Sequence, residues 1–377
     1  MGEPNEAEQS AARPTLSRGG RAAARWGRLA CLGAALALAL GEIAGLYWPF
    51  NLITPYTPQY AAIGMIGVLL VALATARVRA SVDRVCLIIG LVAFIYGGAI
   101  TFGRVPGRTI APAPRVVATD ADLGRVKVFV ANVHTANTDH KTVLDLIAEE
   151  DPDVIFLSEV GDRWAEDLRA LNEKYPTRTT MPDSVGNFGV GFWSRLPGEA
   201  ALTIMKDPDP LDATDVPQVD ATLTLTDSAG RQRPVRFIGL HPLPPISPKY
   251  THARDAVLTR TAETVAARPG VPTIVAGDLN ATRYCHIAQR LADGGKLFDA
   301  AAPLRFSWPN TWSWWAMGIR IDHALVTGGW RVIDARVGRD IGSDHLPIVA
   351  TLQLVEATQA SATPASAAAK IAPGKAR

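Results

Sequence analysis

Six predicted strands between residues 126 and 354 begin or end at polar residues of the same few types. These strands are rich in β-branched or aromatic residues, and their ends carry almost only Asp, Glu, Asn and His. A single strand-end aspartate is usually a turn residue, because its side chain bonds the nearby backbone. Six such endings instead predict that polar side chains meet along one edge of a sandwich. They are Asn132 and His134 in VFVANVH, Glu159 in DVIFLSE, His241 in RFIGLH, Asp278 and Asn280 in TIVAGDLN, Asp322 and His323 in RIDHALV, and Asp344 and His345 in GSDHLP.

The chemistry open to this set is that of a hard divalent cation. Carboxylate and carboxamide oxygens without thiolates suit Mg²⁺ or Mn²⁺ and do not suit structural zinc. A cation that faces a phosphoryl oxygen offsets the charge that builds during displacement. The histidines, whose ordinary pKa is near neutrality, would then carry the acid and base steps.

The charge distribution limits the partners of the chain. The 377 residues carry a net charge of +2, yet residues 117–356 contain 24 Lys and Arg against 31 Asp and Glu, a net charge of −7. Proteins that track long nucleic acids normally present a basic face. Nucleic acid therefore remains a partner that the charge disfavours, and a short or small phosphate ester fits better.

Cysteine usage excludes two further classes of site. Only Cys31, Cys86 and Cys285 occur, and the first two lie in apolar runs near the N-terminus. A disulfide framework or a Cys-rich zinc site cannot be built from them. We interpret Cys285 as a buried small residue and not as a nucleophile.

Three apolar runs predict a membrane anchor. Residues 29–46, 60–76 and 85–102 each approach or reach the roughly 18 to 20 residues that cross a bilayer as a helix. A cleaved signal peptide is the alternative for the first run, although the other two would still anchor the chain. Arginines before the first run and between the second and third place the N-terminus in the cytoplasm and the segment after residue 102 outside it. Three arginines after the third run, Arg104, Arg108 and Arg115, oppose this orientation.

The chain is predicted to have five parts. They are a disordered cytoplasmic N-terminus (1–25), a three-helix membrane anchor (26–103), a Pro- and Gly-rich linker (104–120), a globular domain (121–356) and a disordered tail (357–377). In the globular part we predict strands at 126–133, 154–158, 188–194, 221–226, 235–241, 273–276, 321–326 and 346–354, and helices at 141–149, 162–174, 252–267 and 282–292. Many strands with few helices predict a four-layer α/β sandwich, in which two packed sheets are flanked by helices.

The motifs ANVH, PDVIFLSE, GLHP, GDLN, RIDH and GSDHLP occur in the order and approximate spacing of a known family. The chain resembles the endonuclease/exonuclease/phosphatase superfamily over about residues 125–354, in the manner of its membrane-anchored bacterial members. The resemblance implies the deoxyribonuclease-like sandwich and a metal-dependent phosphoesterase.

The resemblance also implies metal ligands. Glu159 matches the principal Mg²⁺ ligand, with Asn132 beside it, and Asp344 matches a residue that can bind a metal on the other side. The implied cofactor is Mg²⁺ or Mn²⁺.

Five further residues receive catalytic roles from the resemblance. Asp278 matches the carboxylate that orients or deprotonates the attacking water, and Asn280 its neighbour that contacts the phosphate. His345 matches the essential histidine, paired with Asp322. His241 matches the second histidine, which stabilises charge or protonates the leaving oxygen.

Some residues depart from the family pattern or keep two interpretations. His134 stands where some nucleases of the superfamily have an acidic residue, and a satisfied strand-end histidine is its simpler interpretation. His323 points away from Asp322 on a strand and receives no role. Arg320, which alternation places on the same face as Asp322, either contacts phosphate oxygens or forms a surface ion pair. A tryptophan-rich stretch before Asp322 either binds substrate or membrane or caps the core; it contains Trp308, Trp312, Trp314 and Trp315.

Together these observations predict a multi-pass inner-membrane phosphoesterase with an extracytoplasmic catalytic domain. Its substrate would be a lipid head group, a small phosphate ester or a nucleic acid fragment, and no obligate protein partner is evident. Two alternatives are a catalytically silent binding domain and a sensor domain tethered to the membrane. The presence of Glu159, Asp278 and His345 disfavours the silent domain.

Overall fold

The computed structural model describes residues 16–75, 80–116, 124–205, 215–301, 306–311 and 316–355. The predicted disordered tail, the first part of the predicted disordered N-terminus, and Trp312, Trp314 and Trp315 lie outside these residues. The chain divides into two compact units between Thr109 and Ile110.

The N-terminal unit contains three long helices, α1 (Arg18–Glu42), α2 (Thr57–Ala74) and α3 (Ser81–Thr101), with short 3₁₀ segments at Trp48–Leu52 and Thr54–Tyr56. Small residues line the helix contacts. A Cβ atom on Gly67 would lie 2.8 Å from the backbone nitrogen of Cys31, so glycine is what permits that close approach. Leucine and isoleucine side chains point outward, among them Leu73, which is 79% exposed. The segments 18–42, 48–74 and 81–101 are long and apolar enough to cross a membrane.

Two ion pairs join charged side chains within this unit. Arg28 contacts the buried carboxylate of Asp83 at 2.6 Å, and Arg108 contacts Glu42 at 2.7 Å. An isolated charge among apolar helices is costly, and each pair offsets that cost.

The described residues of the C-terminal unit form twelve strands and four helices. The strands are β1 (Arg125–Asn132), β2 (Val154–Ser158), β3 (Thr177–Met181), β4 (Val190–Ser194), β5 (Gly198–Met205), β6 (Val216–Thr226), β7 (Gln232–Leu240), β8 (Thr273–Asp278), β9 (Leu297–Asp299), β10 (Asp322–Thr327), β11 (Trp330–Val337) and β12 (Ile348–Leu354). The helices are α4 (His140–Glu150), α5 (Asp162–Asp167, extended by a 3₁₀ turn at Leu168–Leu171), α6 (Pro248–Ala266) and α7 (His286–Gly295).

Two mixed six-stranded sheets pack face to face, in the orders β11-β12-β1-β2-β4-β3 and β5-β6-β7-β8-β10-β9. Their inner faces share one apolar core that includes Phe156, Phe192 and Phe237. Helices α4 and α5 cover the outer face of the first sheet, and α6 and α7 cover that of the second. The predicted four-layer α/β sandwich is confirmed.

Strand pairing brings the predicted polar residues to one edge. β1 runs parallel to β2, and β7 runs parallel to β8, so the residues that follow these strands emerge on the same side. β10 is antiparallel to β8, with Asp322 opposite Asp278. β12 is antiparallel to β1, with Ile348 opposite Val130, which brings the segment before β12 to the end of β1.

The predicted strands are all present, most with shifted ends, but the sequence pattern does not predict β3, β5, β9 or β11. The predicted helix 162–174 is α-helical only to Asp167. The predicted helix 282–292 begins at His286, because Thr282 and Cys285 close a turn first, with the Cys285 amide donating to the Thr282 carbonyl at 2.9 Å.

Candidate active site

Asp278 is the last residue of β8 and lies at the centre of the polar edge, where it is buried. Gly277 before it has φ +137°, and a Cβ there would overlap the carbonyl oxygen of Leu240. Glycine is therefore needed for the close approach of β8 to the end of β7. That approach brings Asp278 next to His241, which directly follows β7.

Three nitrogens surround a single oxygen of Asp278. The amide nitrogen of Asn132 lies 3.3 Å from Oδ2, Nε2 of His241 lies 3.5 Å from it, and Nε2 of His345 lies 3.8 Å from it. The other oxygen accepts the backbone N–H of Asn280 at 2.9 Å. Burial alone would raise the pKa of Asp278, but the contact with His241 and the charge of His345 outweigh it and lower that pKa to about 2.

His345 and Asp322 form a buried pair. Nδ1 of His345 lies 2.8 Å from Oδ2 of Asp322, and both side chains are almost completely buried. Burial alone would lower the pKa of His345, but the carboxylates of Asp322 and Asp278 raise it to about 10. The imidazole is therefore held as a cation, with Nδ1 toward Asp322 and Nε2 toward Asp278.

The same three side chains are also a candidate cation site. One ligand atom from each of Asp278, Asp322 and His345 lies within 4.8 Å of the others. The proton on His345 already places a positive charge among the two carboxylates. Proton chemistry and cation binding therefore compete for this group.

Glu159 directly follows β2 and faces the end of β1. Its Oε1 accepts the amide N–H of Asn132 at 2.8 Å, and its Oε2 accepts the backbone N–H of Thr135 at 3.3 Å. Asn132 is buried, and its own side-chain oxygen accepts the backbone N–H of His134 at 2.9 Å. The predicted neighbours Asn132 and Glu159 are thus brought together, with the amide nitrogen toward the carboxylate.

Asp344 lies on the segment before β12. Nδ1 of His134 lies between Asp344 and Glu159, 3.5 Å from Oδ1 of Asp344 and 3.5 Å from Oε2 of Glu159. Oδ2 of Asp344 accepts the indole N–H of Trp308 at 3.1 Å. Oδ1 is enclosed and accepts no hydrogen bond from the residues that the structure describes. From the sequence, a metal ion was the only predicted partner of Asp344. The hydrogen bond from Trp308, in the tryptophan-rich stretch, was not predicted.

Strained backbone concentrates at this edge. His134, Glu159 and Asn280 have φ values of +57°, +59° and +47°, a region that side chains other than glycine rarely adopt. Such strain is retained where surrounding contacts fix it, often at functional sites. Two hydrogen bonds fix the backbone of Asn280. Its side-chain N–H donates to the Pro242 carbonyl at 2.9 Å. The guanidinium of Arg254, which is fully buried, donates to the Asn280 carbonyl at 3.2 Å. No sequence pattern predicts the burial of Arg254, since an arginine on a helix is normally exposed.

Arg320 is in neither of its predicted environments. It is buried and donates to Asp299 Oδ1 at 3.2 Å, so it makes a buried ion pair and not a surface one, and it does not face the cleft.

His323 is buried beside Arg320, with Nε2 2.9 Å from the Ala281 carbonyl. Burial and the charge of Arg320 lower the pKa of His323 to about 4, so this histidine is neutral and outside the cluster around Asp278.

A family model described as "Endonuclease/Exonuclease/phosphatase family" matches residues 130–345. The chain belongs to the endonuclease/exonuclease/phosphatase family. The matched range contains every predicted site residue, from Asn132 to His345. Members of this family hydrolyse phosphoric esters, and this chain is accordingly a metal-dependent phosphoric ester hydrolase. A search of curated proteins gives no match.

Solved structures of this family are similar to about three fifths of this chain. An endonuclease/exonuclease/phosphatase from Beutenbergia cavernae is 20% identical, with 61% of this chain and 72% of that chain covered and a TM-score of 0.46. The human nocturnin catalytic domain with bound sulfate is 18% identical, covering 62% and 96%, with a TM-score of 0.47. Sphingomyelinase C from Streptomyces griseocarneus is 17% identical, covering 60% and 99%, with a TM-score of 0.44.

Members of the endonuclease/exonuclease/phosphatase family generally depend on a divalent metal ion, and the residues at this edge fit one. Glu159 and Asp344 offer carboxylate oxygens, and Oδ1 of Asp344 is enclosed without a hydrogen bond. Such a donor set suits a hard cation.

Proposed function

We propose that this chain is a membrane-anchored phosphoesterase that uses Mg²⁺ or Mn²⁺ to direct water at a phosphodiester or phosphomonoester. The observation that carries the proposal is the arrangement around Asp278, where one buried carboxylate oxygen faces Asn132, His241 and His345. A carboxylate and two imidazoles around one point are the groups that hydrolysis of a phosphate ester needs.

Each group has a role that its surroundings support. Asp278 remains ionised at neutral pH, because its pKa is about 2, so it orients the attacking water and is a weak proton acceptor. His345, kept cationic by Asp322, stabilises the negative charge that develops on the phosphoryl oxygens. His241 protonates the leaving oxygen or stabilises its charge, and Asn280 contacts the phosphate.

Glu159 and Asp344 would hold the metal ion, with Asn132 beside Glu159 fixing the direction of its carboxylate. When bound, the ion would polarise the phosphoryl oxygen and offset its charge. The Asn132 amide bridges Glu159 and Asp278 through bonds of 2.8 and 3.3 Å. This bridge keeps the proposed metal ligand and the proposed water-orienting carboxylate at a fixed separation.

Charge and anchoring support a substrate class. The net charge of −7 between residues 117 and 356 disfavours a long nucleic acid, because such binding relies on neutralising phosphates. Three helices that could cross a membrane favour a substrate found at a membrane surface. We therefore propose a lipid head group or a small phosphate ester first, and an extracytoplasmic nucleic acid fragment second.

The proposal predicts metal-dependent hydrolysis by the full-length chain in detergent. Bis-p-nitrophenyl phosphate, a phospholipid panel and labelled DNA would each be assayed with Mg²⁺, with EDTA, and with Mg²⁺ restored. We expect EDTA to lower turnover at least about 100-fold and Mg²⁺ to restore it, because the ion supplies several kcal/mol of charge stabilisation. The substrate with the highest turnover would identify the substrate class of the enzyme.

The matched variant is Glu159→Gln, which preserves side-chain size and removes a proposed ligand charge. It should need a higher Mg²⁺ concentration for half-maximal turnover. A folded wild-type chain that hydrolyses none of the substrates and binds no Mg²⁺ in calorimetry would refute the proposal and favour the silent binding domain.

We also propose that the catalytic unit is extracytoplasmic, because basic residues precede the first apolar run and lie in the connection between α2 and α3, whereas the connection between α1 and α2 carries no charge. A reporter enzyme that is active only outside the cytoplasm is expected to be active when fused after residue 355 and inactive when fused between α2 and α3. The opposite pattern would reverse the proposed orientation.

A further inference from the structure

A cavity lies on the outer face of the first sheet, between β3 and the segment that follows α5. Its volume is about 370 Å³, which is within the range of small-molecule sites. β3 is the edge strand of this sheet and lies beside β4. Arg178 of β3 is opposite Trp193 of β4, and Thr180 is opposite Gly191. These four residues therefore share the face that α5 covers.

Trp193 lines the cavity and is buried. Its ring lies over Gly191, where a Cβ atom would come within 2.3 Å of the indole, so glycine permits this position of the ring. The indole N–H donates to Oδ1 of Asn172 at 3.2 Å. Because an indole can only donate, this bond fixes the direction of the Asn172 amide and leaves its nitrogen to donate to a ligand.

Two exposed arginines give the cavity a positive charge. Nη1 of Arg178 donates to the carbonyls of Pro176 at 3.2 Å and Asn172 at 3.4 Å, and these bonds orient the guanidinium. Arg169 lines the opposite wall, on the 3₁₀ turn after α5, and its side chain forms no ion pair with a described residue. Among the described residues no carboxylate and no histidine lines the cavity, although residues 117–356 carry a net charge of −7.

We propose that this cavity is a second anion site, which binds a phosphate monoester group without hydrolysing it. Two guanidinium groups match the roughly two negative charges that such a group carries at neutral pH. Its three terminal oxygens can accept from Arg169, Arg178, the Asn172 amide and the Thr180 hydroxyl. A carboxylate, with one charge and two oxygens, would leave part of this donor set unpaired. Hydrolysis is not expected here, because the lining offers neither a metal ligand nor an acid or base group.

A soluble phosphate ester and the head group of a phosphate-monoester lipid would both present this group. The inference goes beyond the proposed function, since the site lies on the outer face of the first sheet and not at the edge that holds Asp278. The alternative is that water alone fills the cavity and that Arg169 and Arg178 are ordinary solvated side chains. That account predicts no binding of phosphate esters that depends on these two arginines.

Calorimetric titration of the full-length chain in detergent with glycerol 3-phosphate tests the proposal, with EDTA present so that no metal-bound phosphate contributes. We expect a dissociation constant below about 1 mM, which rises at least about 10-fold in Arg169→Gln and in Arg178→Gln, because each variant loses charged hydrogen bonds. Both side chains are exposed, so the variants should fold like the wild type. Acetate should bind at least about 10-fold more weakly than glycerol 3-phosphate.

Arg163→Gln is the matched control, because it removes an exposed arginine of α5 that does not line the cavity. This variant and His345→Gln, which alters the site around Asp278, should both keep the binding that the two cavity variants lose. The proposal would be overturned by a wild type that does not bind glycerol 3-phosphate, by a rise of less than about 10-fold in both cavity variants, or by an equal loss in Arg163→Gln. Acetate binding as tight as that of the ester would overturn the ligand class.

Nanodiscs distinguish the two sources of the group. The chain would be titrated with glycerol 3-phosphate and EDTA in discs that contain phosphatidic acid and in discs of equal surface charge that contain phosphatidylglycerol. Weaker binding in the phosphatidic acid discs would show that the lipid head group occupies the cavity, whereas equal binding would assign the site to a soluble ester. Either result supports the site, provided that Arg169→Gln and Arg178→Gln lose the binding in both kinds of disc.

Discussion

Replacing His345 with alanine is expected to lower kcat by about 10³-fold, the upper range for loss of one group that stabilises the charge of the transition state. The physical reason is the loss of a buried cation that Asp322 and Asp278 hold next to the reacting phosphate. Steady-state hydrolysis of bis-p-nitrophenyl phosphate by the full-length chain would measure the effect. KM should change much less, because the charge acts most strongly in the transition state.

Two further variants separate chemistry from folding. His345→Gln retains a hydrogen-bond donor for the buried carboxylate of Asp322, so it should fold like the wild type and still lose about 10³-fold in kcat. His323→Gln alters a buried histidine one residue from Asp322 that bonds the Ala281 carbonyl and does not face the cleft. It should retain kcat to within about 3-fold. A His345→Gln enzyme with kcat within about 10-fold of the wild type would contradict the role given to the imidazolium.

Replacing Arg320 with methionine is expected to reduce the free energy of unfolding by about 3 to 5 kcal/mol, because it leaves a buried carboxylate without its main partner. Asp299 is 1% exposed and accepts from Arg320 at 3.2 Å, whereas its other cation, Arg283, lies 3.8 Å away. Burial would raise the pKa of Asp299, but Arg320 holds that pKa below its ordinary value. Urea unfolding followed by tryptophan fluorescence would give the change.

Arg339→Met is the matched control for this loss. Arg339 and Glu149 form an ion pair of 2.8 Å between side chains that are 51% and 64% exposed, and such a pair contributes about 0 to 1 kcal/mol. Adding Asp299→Asn to Arg320→Met should recover part of the loss, since no buried charge then lacks a partner. A loss in Arg320→Met no larger than that in Arg339→Met would show that Asp299 finds other compensation.

The strand-end polar residues were predictable because strand alternation and turn chemistry are local. Asp278 closes one apolar run and Asp322 opens another, and the sandwich brings these strand ends together once the strands pair. Strand β5 was not predictable in the same way. It lies at the edge of its sheet and pairs only with β6, so most of its residues are exposed on both faces and the sequence shows no apolar alternation.

Pairings across the chain were also beyond sequence reasoning. Arg320 was assigned to the face of Asp322 by alternation, but β10 begins at Asp322, and alternation does not extend to a residue before the strand. Its partner Asp299 ends β9, 21 residues earlier. The position of His134, whose Nδ1 lies 3.5 Å from Oε2 of Glu159 and 3.5 Å from Oδ1 of Asp344, likewise depends on a left-handed backbone, which non-glycine residues rarely adopt.

The order of strands in the first sheet has a consequence for when activity arises. β12 is synthesised last among the described strands, yet it lies between β11 and β1. Its pairing with β1 brings His345, which precedes it, to the residues that follow β1, β7 and β8, which are synthesised earlier. In a nascent chain that ends before β12, β1 is paired with β2 on one side and unpaired on the other, and His345 is not held near Asp278. With the role proposed for His345, we expect hydrolysis to begin only after synthesis of the domain is complete.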